Sequence, residues 1–171
     1  MAKDESMNPA PLDHAKVPTR PAKAPYPPPY NDCFDPAMAW KPVGALLGLK
    51  NFGVNIVTLP PGARSSERHW HAAQDEYVYV IEGEVTVRSE AGETQAGPGM
   101  SIGFRAGVAD GHVLINQSDR PVTYLCVGDR STPEHVIYPD ADMQLIADEQ
   151  GVRFVRNDGT PYPEEHQPKF R

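Results

Sequence analysis

At 171 residues with 39% apolar content, the chain is sized for one domain that buries a core of its own, so neither metal nor disulfide is needed merely to hold it together. A formal net charge of −7 argues against nucleic acid and anionic membrane as partners, since both reward a basic face, and leaves a small-molecule substrate as the expected partner. No apolar run approaches a membrane span, the Met1–Ser6 start lacks a signal-peptide core, and Cys33 and Cys126 form no Cys-x-x-Cys pair, so a cytoplasmic location is expected.

Residues 1–38 form a compositional zone of their own. Ten of the nineteen prolines lie at or before position 42, including Pro27-Pro28-Pro29, and proline withholds a backbone donor and opposes helix. An extended arm is expected there, with Tyr26, Tyr30 and Phe34 as side chains it can bury against a neighbouring surface. From residue 39 to about 150 short β-branched and aromatic runs alternate with turn residues, and no helical period intervenes. Strands are expected at 43–48, 52–59, 66–71, 77–82, 84–89, 100–104, 111–117 and 122–128. Their turns fall at Pro60-Pro61-Gly62, Glu82-Gly83, Ala91-Gly92-Glu93, Gly97-Pro98-Gly99 and Ser118–Pro121. Eight strands of this size predict an all-β double-sheet jelly roll. After Asp129 come extra strands or a covering flap, and residues 151–171 form a C-terminal extension.

Within this pattern His69 and His71 stand two apart, so on a strand both imidazoles leave by one face, and Trp70 between them is expected to point into the core. Glu76 heads the run Glu76, Val78, Val80, which alternates against Tyr77, Tyr79, Ile81. Two neutral imidazoles and a carboxylate are the donors that borderline first-row divalent metals select.

Gly62, His69, His71, Glu76 and Gly83 fall at the spacing of the first conserved motif of the cupin superfamily, which this stretch resembles. Gly99–Asn116 is similar to the second motif. Leu-Pro-Pro-Gly-Ala at 59–63, Arg-His-Trp-His at 68–71, Tyr-Pro-Asp at 138–140 and Asp-Gly-Thr-Pro-Tyr at 158–162 are similar to a group of bacterial single-domain cupins, some labelled sugar-phosphate isomerase-like. The resemblance covers residues 40–163. It implies a cupin double-stranded β-helix with one divalent transition metal, iron, manganese, nickel or zinc, inside one mouth. His69, His71 and Glu76 carry over as ligands. In the second motif Arg105 occupies the usual proline slot, and four residues, Val108–Gly111, stand where two are expected before the histidine. A strict count puts Asp110 in the ligand slot, whereas His112 keeps the spacing to Asn116 and shares a face with Leu114. His112 is preferred as fourth ligand, with Asn116 supporting it.

Such a ligand set leaves positions open to water or substrate, and the absence of thiolates disfavours a structural zinc. Arg105, Arg64 and Tyr79 are the candidate substrate contacts, because a guanidinium binds carboxylate or phosphate bidentately. Glu67, Arg68 and His135 are weaker candidates. The expected activity is Lewis-acid-assisted proton transfer on a polar or anionic metabolite, isomerase- or lyase-like. An iron(II)-dependent dioxygenase and a non-catalytic binding or sensor module are the alternatives. A homodimer is expected, paired through the apolar side chains of the arm between Tyr26 and Phe34.

Overall fold

The computed structural model describes residues 10–21 and 23–168. The expectations for residues 1–9 and 22 of the arm and for 169–171 of the extension lie outside these. The described residues contain thirteen strands: β1 (Arg20–Pro21), β2 (Ala39–Lys41), β3 (Phe52–Leu59), β4 (Trp70–His71), β5 (Glu76–Glu82), β6 (Val85–Ser89), β7 (Gly92–Ala96), β8 (Ser101–Phe104), β9 (Val113–Ile115), β10 (Val122–Asp129), β11 (Glu134–Tyr138), β12 (Met143–Asp148) and β13 (Gly151–Val155). They form three antiparallel sheets, ordered β1-β2-β3-β10-β5-β8, β7-β6-β9 and β13-β12-β11-β4. None of the described helices is long and apolar enough to cross a membrane.

The alternation read from the sequence sets how the first two sheets pack. Val57 and Leu59 of β3, Val78 and Val80 of β5 and Val122 and Tyr124 of β10 are buried against Val85, Val87 and Leu114 of the smaller sheet. Burying each such aliphatic side chain stabilises the fold by about 1.5–3 kcal/mol before chain entropy is counted. The two sheets therefore enclose a barrel core. The outward partners Tyr77, Tyr79 and Ile81 remain exposed.

Several expected boundaries move. Residues 43–46 are a single helical turn, α1 (Val43–Leu46), rather than part of a strand. Gly44 lies against Val54, where a β-carbon would come within 2.9 Å of the Val54 amide, and Gly48 at φ 72° ends the turn. One turn is too short to show a helical period. The expected strand 66–71 shrinks to Trp70–His71, and β7, polar along most of its length, is an additional strand paired to β6.

The region after Asp129 supplies extra strands. β11, β12 and β13 build the third sheet, whose buried Val136, Tyr138, Met143 and Phe154 form a second core with Ala24, Tyr26 and Tyr162. Tyr26 meets Phe34, Tyr138 and Phe154 edge-on, at centroid distances of 6.0, 5.5 and 6.1 Å. Of the arm's aromatic residues, Tyr26 is buried within its own chain, and Tyr30 and Phe34 pack half-buried against the same core. That corrects the reason given for expecting a homodimer, because Tyr26 is already covered.

Candidate metal centre

The polypeptide brings its site together from all three sheets. His69 pairs with His112 through reciprocal backbone bonds, His69 N to His112 O at 3.1 Å and His112 N to His69 O at 2.8 Å. Two residues on, His71 lies in β4 and is paired with Val136 of β11. Glu76 opens β5, sharing its inward face with Val78 and Val80. His112 immediately precedes β9.

Glu76 Oε2 is the meeting point. It lies 2.9 Å from His112 Nε2, 3.6 Å from His71 Nε2 and 3.7 Å from His69 Nε2. Ligand atoms of His69, His71 and Glu76 all fall within 4.8 Å of one another, as a group that could hold a metal ion. Each ring is oriented differently. His69 Nδ1 donates to the Glu67 carbonyl at 2.9 Å, which leaves the Nε2 lone pair facing Glu76. The ring packs on Tyr138 at 5.6 Å, so the tyrosine that Tyr26 supports also supports one ring of the candidate group. His112 stacks on Phe104, centroids 3.5 Å apart and 5° from parallel, while its Nε2–H donates to Glu76. His71 differs, because both of its ring nitrogens are buried without a hydrogen-bond partner.

Burial alone would raise the Glu76 carboxyl, but hydrogen bonds and charge from the surrounding imidazoles hold it well below the usual range. Burial pushes His71 down to about 4, against the pull of Glu76. His112 is also lowered, chiefly by burial. At neutral pH the group therefore offers a carboxylate and a neutral His71. A buried imidazole left unpaired costs about 1–3 kcal/mol, and a cation at its Nε2 would satisfy one of the two orphaned atoms. The donor set and the unpartnered ring both fit a divalent metal.

Asp110 is directed elsewhere. Its Oδ1 accepts the Glu90 amide at 2.8 Å, whereas His112 reaches Glu76 directly. Asn116 does not support His112 by side-chain contact. It is fully buried, donates to the carbonyls of Leu59 and Arg120 at 2.9 and 2.7 Å, and accepts from Ser118, bracing the turn before β10. Trp70 is only partly buried and lies outside both cores, on the wall of a cavity that also reaches His71 and His112. Its expected place in the core is therefore corrected.

Three cavities reach the group. One of about 200 Å³ lies inside the barrel, where Val57, Val78, Phe104, Leu114, Tyr124 and Cys126 surround His69, Glu76 and His112. A second, about 280 Å³, touches His71 and His112, and a third, about 520 Å³, opens beside Glu76. Arg105 is exposed on the rim shared by these last two. Arg64 instead pairs with Glu67 at 2.6 Å and lines none of the three. Tyr79 points to the outer side of β5, opposite Glu76, and also lines none of the three cavities, so the structure does not bring this expected substrate contact to the group. His135 is bonded to Gln144 at 2.7 Å, and Arg68 holds Asp140 through Nε and Nη2 at 2.7 and 2.8 Å.

A Cupin domain model matches residues 55–128, the stretch from β3 through β10 that carries these residues. A cupin-superfamily protein of Silicibacter pomeroyi, described as a sugar phosphate isomerase, is 38% identical and superposes with a TM-score of 0.83 over 91% of this chain and 98% of its own. The chain belongs to the cupin superfamily. A putative sugar phosphate isomerase of Acidithiobacillus ferrooxidans is 26% identical, with a TM-score of 0.66 over 74% of this cupin and 81% of that chain. The polyketide cyclase RemF of Streptomyces resistomycificus, 16% identical with a TM-score of 0.58 over 73% of this chain and 82% of its own, shares the fold alone. None of the curated proteins matches this cupin.

The sequence pattern singled out the residues that converge here, but not the packing behind them. Phe104 and Tyr138, which pack on two of the rings, lie within stretches that the sequence singled out, but nothing in their spacing assigned them this role.

Proposed function

We propose that this cupin is a small metalloenzyme that binds one divalent ion through His69, His71, Glu76 and His112 and assists proton transfer in a polar, anionic metabolite, as an isomerase or lyase does. The observation that carries the reading is the convergence of three imidazole Nε2 atoms within 3.7 Å of one carboxylate oxygen, where a barrel cavity meets the mouth. Such an ion supplies Lewis acidity, polarising a substrate oxygen so that an adjacent proton becomes easier to remove.

The chain's own residues supply the surroundings. Arg105, on the rim, is positioned to receive the anionic end of a ligand by a charged hydrogen bond. Phe104, Val78 and Leu114 give the inner wall an apolar surface, and a site drier than bulk water strengthens every charge interaction within it. The Silicibacter and Acidithiobacillus proteins support a phosphosugar as the first substrate class to try.

The test is to load the protein anaerobically with manganese, zinc or iron(II) and incubate it in D2O with a panel of aldose and ketose phosphates and small hydroxy acids. Deuterium entering a carbon position next to a carbonyl, without oxygen, is the expected result. Oxygen consumption with iron alone would replace the proposal by a dioxygenase, and ligand binding without turnover under any metal would leave a binding module.

A further inference from the structure

The metal reading above leaves one buried group without a role. Glu134 opens β11 with its side chain 2% exposed, and no Lys or Arg among the described residues pairs with it. Its Oε1 accepts the amides of Ala72 at 2.9 Å, Ala73 at 3.3 Å and His135 at 2.7 Å. Its Oε2 accepts only the Ala73 amide, at 3.2 Å, and lies 3.9 Å from His71 Nδ1. Of the two carboxylate oxygens, the less occupied one faces the ring nitrogen that has no partner.

Capping the turn after His71 accounts for Oε1. Oε2 has only the longer Ala73 contact, so it keeps acceptor capacity on the side that faces His71 Nδ1. His71 is the one ionisable nitrogen of a Lys, Arg or His within 4 Å of Glu134 among the described residues. The neighbouring ligand shows what such a partner does, since His69 Nδ1 is already held by the Glu67 carbonyl with its Nε2 turned to Glu76. His71 has the same arrangement at its Nε2 and lacks the backbone carbonyl at its Nδ1.

We infer that Glu134 is the positioning residue of His71: its Oε2 receives the Nδ1–H, which fixes the tautomer and leaves the Nε2 lone pair directed at Glu76 and the metal. The gap of 3.9 Å closes by a shift of about 1 Å of ring or carboxylate, to ordinary hydrogen-bond length. A carboxylate there also makes the imidazole a stronger donor to a cation, as outer partners of metal-bound histidines generally do. β11 therefore does more than extend the fold. It carries both the backbone that pairs with His71 and the carboxylate that orients its ring.

The inference rests on the metal reading, and the experiment separates the two. Zinc is titrated into the metal-free full chain and into Glu134→Gln, and the zinc-loaded parent is examined by long-range 1H–15N NMR of the histidine rings. Glu134→Gln is expected to lose about 10- to 100-fold in zinc affinity. In the parent, the His71 Nδ1–H is expected far downfield and slow to exchange, moving upfield in the variant, a change that a purely structural cap would not produce. Glu134→Asp should recover part of the affinity. If Glu134→Gln does not fold, the parent spectrum decides, since a fast-exchanging Nδ1–H without the carboxylate shift overturns the inference. So does an affinity within twofold of the parent with an unmoved resonance. A parent that takes up no zinc, manganese or iron overturns the metal reading itself, and this inference with it.

Discussion

Glu76 places one oxygen within 3.7 Å of three imidazoles, so the loss of any one ring should be felt through that shared atom. His112→Ala removes the ring whose Nε2 lies 2.9 Å from it, whereas Asp110→Ala removes an acceptor for the Glu90 amide on the wall of the cavity beside His112. His112→Ala is therefore expected to lower metal affinity at least tenfold more than Asp110→Ala, about 1.4 kcal/mol, as read by calorimetric titration. The reverse order would return Asp110 to the ligand set. A second single-residue effect belongs to the backbone. Gly83 joins β5 to β6 at φ 79°, and a β-carbon there would stand 2.6 Å from the Pro121 carbonyl oxygen and 2.9 Å from Val122 Cα. Both obstacles are backbone atoms, which cannot rotate away. Gly83→Ala should cost at least about 1–3 kcal/mol of stability from the left-handed conformation alone, with the clash in addition, measured by denaturant unfolding.

At the scale of elements, the third sheet is where the described arm earns its order. Tyr26 is buried against Tyr138 and Phe154, and Tyr138 in turn packs on the His69 ring. Tyr26→Ala is expected to cost about 3–5 kcal/mol by leaving a cavity in that second core, and removal of residues 1–36 should lower the melting temperature further. Unchanged melting in both would mean that β11–β13 hold together without the arm. The barrel strands were legible because β5 buries one face and exposes the other, while β3 and β10 alternate buried with half-buried positions at Val57–Leu59 and Val122–Tyr124, and period-two alternation survives that arrangement. The helical turn at Val43–Leu46 and the polar strand β7 were not, since one is too short to repeat and the other has little apolar face to betray it. For the site, His69, His71, Glu76 and His112 stood out by type and spacing. Tyr79 misled because its hydroxyl suggested chemistry while its alternation with Glu76 already placed it outside. Glu134 gave no signal, as its relation to His71 exists only through the pairing of β4 with β11.

For the molecule as a whole, one small group of side chains ties together three sheets. His71 comes with β4 from the four-stranded sheet, Glu76 with β5 from the six-stranded sheet, and His112 from the residue just before β9 of the three-stranded sheet. A ligand bound only by the folded state stabilises it by mass action, about 2.7 kcal/mol at a free concentration one hundred times the dissociation constant. Metal loading should therefore raise the melting temperature of the entire chain in a single transition, and chelator should reverse the rise. Acid tests the same junction in the metal-free protein. Burial holds His71 in the fold at about 4, below its ordinary value of 6.5, so between these values the unfolded chain binds a proton at this ring that the folded chain refuses. The contribution of His71 is thus complete above pH 6.5 and is lost as pH falls toward 4. His112, lowered in the same direction, adds to the loss, whereas His69, which Glu76 raises in spite of burial, opposes it. Replacing His71 by glutamine, which does not titrate, should make the metal-free protein lose less stability between pH 6.5 and 4 than the parent does, measured by urea unfolding at each pH. An equal or steeper loss in His71→Gln would show that this ring does not remain neutral in the folded state.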